Sequence, residues 1–168
     1  MLMSQRGMVI DSLEFARRHE ALSGRLQLNT LPRLVEVLFD TSGSLDFEVS
    51  GETAGGDAFL AVKLEGALPL ICQRCLGALV FELSVNSRMM LVEPGSPWPD
   101  DGQTGGLEDE ACDAIEASGN LDLAPLLEEE ILLALPIAPR HEHCEPPAAT
   151  TASKEASPFA KLARIKCN

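Results

Sequence analysis

The sequence predicts an α+β fold, a single antiparallel β-sheet carrying a few packed helices, on three observations. Apolar and polar residues alternate over residues 45–92, the period-two signature of half-buried strands. The alternating runs are joined by short turns, whereas a parallel sheet needs long crossovers. Helical patterns with capping residues lie towards both ends of the 168-residue chain.

Asp11, followed three residues later by Glu14, has the form of a capping box. Leu13, Ala16 and Leu22 share one side of a helix predicted over residues 12–22 and ended by Gly24. Residues 24–28 alternate, with Leu26 and Leu28 facing one way. Residues 30–39 suit a second short helix with Thr30 as cap and Pro32 in its first turn. Leu34, Val35, Val37, Leu38 and Phe39 equally fit a strand.

Leu45, Phe47 and Val49 alternate with Asp46 and Glu48, residues 51–57 supply a turn with Gly55 and Gly56, and Phe59, Val62 and Leu64 resume the pattern. This is a hairpin. The apolar run 68–71 leads into Cys72, and beyond Gly77 the segment 79–92 alternates through Phe81, Leu83 and Val85, so strands lie on both sides of a cysteine pair. Residues 93–110 hold Pro94, Pro97, Pro99, glycines and acids without a period, which predicts a mobile acidic loop with Trp98 as its anchor.

Asn120 and Asp122 precede Pro125 at the start of the clearest helix, Leu123, Leu127, Ile131 and Ala134 line one face, and Pro136 stops it. Glu128, Glu129 and Glu130 look like a solvated helix start near the positive end of the dipole. Residues 145–157 are rich in Pro, Ala, Thr and Ser and bury too little to offset ordering. The predicted organisation is one α+β domain over residues 1–144, a disordered linker over 145–157 and a short basic amphipathic tail over 158–168. In that tail Phe159 and Leu162 give an apolar side able to dock on a partner or fold back, and Lys161, Arg164 and Lys166 face outward as contact residues.

Aromatic residues are 4% of the chain and Tyr is absent, so the core must be built from Leu, Val, Ile and Ala. The net charge of −13 is unevenly placed. Residues 1–40 carry five basic and five acidic side chains, residues 41–153 four against twenty, and residues 154–168 four against one. Such a body repels a phosphate backbone, so direct RNA contact would fall to a terminus or a local patch. There is no apolar stretch long enough to span a bilayer and no secretory pattern at the start, which predicts a cytoplasmic protein without a membrane partner.

Cys72-Gln-Arg-Cys75-Leu-Gly77 has the spacing at which two thiolates hold one tetrahedral zinc, with the glycine easing a tight turn. His141 and Cys144, with His143 as the alternative histidine, follow the clearest helix and would complete a Cys3His site. Two other readings stand beside it: small buried cysteines at a strand end, or a thiol redox pair, which usually has its first cysteine at a helix N-terminus. A phosphate-binding glycine loop, a His-Glu-x-x-His and a nucleophile elbow are all missing from the sequence, which predicts no catalytic residue and no small-molecule substrate.

Cys72-Gln-Arg-Cys75, Ile115-Glu116, Leu121-Asp122-Leu123, Leu127-Glu128-Glu129-Glu130-Ile131, the run from Leu133 through Pro136, Pro139 and His141, and Ser157-Pro158-Phe159-Ala160-Lys161-Leu162-Ala163 resemble the YceD family in order and spacing. The compact His141-Glu-His143-Cys144 departs from that pattern and leaves either histidine open as a ligand. The resemblance implies a non-enzymatic factor supporting synthesis, processing or stability of large-subunit (23S) ribosomal RNA. The partner would be a large-subunit precursor, reached through a basic ribosomal protein, a processing ribonuclease or the RNA itself. The alternatives are a zinc-stabilised interaction module without a ribosomal role, and a thiol redox enzyme.

Overall fold

The computed structural model describes residues 8–99 and 112–147. In chain order the elements are β1 (Val9–Ile10), α1 (Ser12–Arg17), β2 (Ala21–Gln27), β3 (Ser44–Ala54), β4 (Asp57–Ile71), β5 (Ala78–Val92), β6 (Asp113–Glu116), β7 (Leu121–Asp122) and α2 (Leu123–Ala134). The fold is α+β, as the alternation predicts. A five-stranded sheet in the order β2-β3-β4-β5-β6 carries the two helices, and β1 and β7 form a separate antiparallel pair. The first four strands of the large sheet are antiparallel, and β6 joins β5 in parallel.

The register puts Phe47 opposite Leu64 and Val49 opposite Val62 in β3 and β4, and Leu60 opposite Met89 in β4 and β5. All six are buried, on the face that receives Phe15 and Ala16 of α1 and Leu123, Leu127 and Ile131 of α2. The opposite face exposes Asp46, Glu48, Lys63, Glu65 and Glu82. Along β3 and through residues 60–65 of β4 the sheet therefore has one wet and one dry side, as the period-two pattern requires, whereas Phe59 with Leu60 and Leu91 with Val92 are buried on both faces. Gly51 is part of β3, and its missing side chain lets α1 rest on the sheet: a Cβ there would stand 2.4 Å from the Phe15 carbonyl oxygen.

Three elements differ from the sequence reading. The first helix ends at Arg17, because His19 adopts a left-handed φ of 52° and the chain turns into β2. Leu22 and Gly24 are then strand residues, and Gly24 lies opposite Phe47. Residues 30–39 form no α-helix or long strand; two short 3-10 turns, Leu28–Thr30 and Leu34–Val37, are followed by an isolated bridge between Leu38 and Leu70.

α2 follows the predicted face and is capped by Asp122, whose side chain accepts from the Ala124 N–H at 3.1 Å. Ala134 is exposed, outside the buried stripe. The glutamate triplet lies past the first turn of α2, and Glu128 is not solvated: it is 3% exposed. Trp98 is 56% exposed, so it anchors nothing in the core. The rest of the expected acidic loop and the tail residues Lys161, Arg164 and Lys166 lie outside the described residues. Among the described residues no helix is long and apolar enough to cross a membrane.

Candidate metal centre

β4 and β5 form the longest hairpin of the sheet, and Cys72 follows directly on the last residue of β4. Its turn is closed from within. The Cys72 N–H donates to the Gly77 carbonyl and the Leu76 N–H donates to the Cys72 carbonyl, both at 2.9 Å. The left-handed residue is Leu76, with φ of 62° and its side chain 58% exposed; Gly77 carries no positive φ. The tight turn therefore falls on a leucine directly after the second cysteine, not on the glycine that the sequence suggested.

Pro136 ends α2, and the next residues run back across this turn. The Gln73 N–H donates to the Pro139 carbonyl at 2.7 Å, which fixes the descending segment on the hairpin tip. His141 and Cys144 arrive with it. The sulfur of Cys72 lies 3.8 Å from that of Cys144, and the sulfur of Cys75 lies 3.4 Å from His141 Nδ1. The ligand atoms of Cys72, Cys75, His141 and Cys144 all fall within 4.8 Å of one another. His143 is exposed and not among them.

These distances can be tested against a tetrahedral ion. With metal–sulfur bonds of about 2.3 Å, two ligand sulfurs stand about 3.8 Å apart, and a sulfur and an imidazole nitrogen slightly closer. Both measured edges match. The orientation of the His141 ring suits a ligand as well, with Nε2 lying 3.0 Å from the Ala78 carbonyl oxygen. That oxygen can only accept, so Nε2 carries the proton and the Nδ1 lone pair points at the cluster, the usual outer contact of a metal-bound histidine.

The electrostatics favour a thiolate at Cys72. The Cys72 thiol is pulled down to about 5, mainly by the Cys75 backbone N–H and also by those of Arg74 and His141, with burial opposing them. Burial pushes the Cys144 thiol up, and the neighbouring Cys72 and Cys75 side chains add to that. Cys72 is fully buried, and Cys75, His141 and Cys144 are half-buried. Three soft sulfur donors and one imidazole in this geometry suit Zn2+.

Cys112 lies away from the cluster with its sulfur 3.1 Å from the Arg88 carbonyl oxygen. The sequence reading missed Glu128 as a buried group; its carboxylate accepts from the backbone N–H of Arg33 and of Leu34.

A family model described as "Large ribosomal RNA subunit accumulation protein YceD" matches residues 60–166, which include the hairpin tip, α2 and all four clustered side chains. The chain belongs to the YceD family. A curated relative from Haemophilus influenzae (strain ATCC 51907 / DSM 11121 / KW20 / Rd), named large ribosomal RNA subunit accumulation protein YceD, is 30% identical over 95% of each chain. No solved structure matches this YceD-family chain.

Proposed function

We propose that this YceD-family chain is a non-enzymatic, cytoplasmic factor that supports the accumulation of large-subunit ribosomal RNA. In this reading it acts by holding a basic protein of the ribosomal precursor, either a ribosomal protein or a processing ribonuclease. The family match over residues 60–166 carries the ribosomal part of the reading. The charge distribution supports the choice of partner: four basic against twenty acidic residues over 41–153 attract a basic protein and repel bare RNA.

The metal we propose for Cys72, Cys75, His141 and Cys144 is zinc, in a structural role. Four protein donors fill a tetrahedral ion and leave no position for water or substrate, which is how structural sites differ from catalytic ones. A thiol redox role is less well supported, because Cys72 follows a strand and does not open a helix.

Sedimentation of cell lysate with detection of this chain tests the reading. Comigration with large-subunit precursors, weakened by salt, and reduced large-subunit RNA on depletion are the expected results. A chain that contains zinc yet stays at the top of the gradient at every salt concentration is an interaction module without a ribosomal role.

A further inference from the structure

We propose that the apolar groove at the end of α2 is the docking site of the chain's own carboxy-terminal segment, residues 157–168. This inference does not rest on the ribosomal reading. The groove has a volume of about 410 Å³ and is lined by Val37, Leu70, Leu132, Leu135, Pro136 and Ile137, among others. Its rim is unusually apolar for a surface: Leu133 is 71% exposed and Ile137 fully exposed, with Val37 at 39%. Contiguous apolar surface of this kind marks a binding site.

The path of the chain points to its occupant. Gln73 lines this groove and also an adjoining depression that it shares with Arg140 and Pro146. The described chain ends one residue later, at Pro147, next to this adjoining depression. Phe159 lies twelve positions after Pro147, a reach of roughly 40 Å when extended. That is ample for a groove that shares Gln73 with the depression beside the point of departure.

The chemistry of the segment fits as well. Ser157 and Pro158 suit the start of a helix, and Phe159, Leu162 and Ala163 follow at spacings of three and four, the pattern of a helix laid in a groove. Lys161, Arg164 and Lys166 accompany them. Glu36 adjoins Val37 and Glu130 stands one helical turn before Leu133, carboxylates that suit a basic segment over this apolar floor, while Glu129 beside them already pairs with Arg33. Because the segment is tethered, its effective concentration is in the millimolar range, and weak docking suffices.

Amide hydrogen exchange on the full chain and on a chain ending at residue 156 tests the proposal. Amides of residues 36–39 and 131–138 should exchange roughly tenfold faster without the segment, and a synthetic peptide of residues 157–168 at about 1 mM should restore protection. Leu133→Asp and Ile137→Asp in the full chain should give the same loss, with no larger fall in melting temperature than removal of the segment itself causes, because both side chains are exposed on the domain. Identical exchange in the full and shortened chains, with no effect of the peptide, overturns the proposal. It is also overturned if protection in the full chain disappears on dilution, which assigns the groove to a second copy. The third overturning outcome is protection that appears only when a ribosomal partner is added.

Discussion

The Glu128 carboxylate accepts hydrogen bonds from two successive backbone groups across the molecule, the Leu34 N–H at 3.0 Å and the Arg33 N–H at 2.7 Å. One side chain of α2 thus holds the 3-10 turn Leu34–Val37, whose first N–H groups have no partner within the turn itself. The exposed pair between Arg33 and Glu129 at 2.7 Å lies beside it and adds little, since ion pairs in water are weak.

Replacing Glu128 by alanine should therefore cost about 2–4 kcal/mol, because two partly or fully buried donors lose a charged acceptor. Glu128→Gln keeps an acceptor oxygen in place and should recover about half of that loss. Urea denaturation of the two variants measures the difference. Equal stability of Glu128→Ala and the parent would refute the role.

One zinc per chain is expected after purification under reducing conditions, as read by elemental analysis. Alanine substitution of Cys72, Cys75, His141 or Cys144 should each lower occupancy and melting temperature, and a strong chelator should do the same to the parent protein. His143→Ala should leave both unchanged, because that ring is exposed outside the cluster. An effect of His143→Ala equal to that of His141→Ala would reverse the assignment.

Leu76→Gly should stabilise the protein by about 1 kcal/mol. The left-handed conformation at φ of 62° strains a side chain that is mostly in water and packs on little. A glycine relieves the strain and returns part of the gain through its freer unfolded chain. A lower denaturation midpoint for the variant would show that the leucine contributes packing that outweighs the strain.

The depressed Cys72 thiol gives the reduced, metal-free protein a defined pH response. Its folded value of about 5 lies below the ordinary thiol value of about 8.5. A depressed pKa stabilises the fold fully above the ordinary value, and the contribution is lost as pH falls through the window to about 5. The raised Cys144 thiol acts in the opposite sense, on the alkaline side. The urea midpoint should thus fall between about pH 8 and pH 5.5, and Cys72→Ser should flatten that slope. An unchanged slope in the variant would assign the effect to other groups.

The sheet was legible in the sequence because Leu45, Phe47, Val49, Leu60, Val62 and Leu64 each face a dry side and their neighbours a wet one, and alternation records that directly. The four clustered side chains were legible as ligand-type pairs at workable spacing. The choice between His141 and His143 was not. It is made by the Ala78 and Pro139 carbonyls, which are distant in sequence from the residues that they orient. Residues 34–39 misled for a related reason: their apolar pattern fits helix or strand, and their conformation depends on a carboxylate ninety-four positions away. The parallel addition of β6 left no trace in the local pattern, since four residues cannot declare a direction.

The cluster brings together two short stretches of sequence, around Cys72 and around His141, and so makes a ring of everything between them. The entropy of closing such a ring grows only with the logarithm of its length, by about 0.6 kcal/mol for each doubling. Inserted residues in the acidic stretch between β5 and β6 should therefore be inexpensive, whereas one residue added inside the turn from Cys72 to Gly77 would break the two hydrogen bonds that close it. Length is thus inexpensive in that one stretch of the ring and fixed at its clasp.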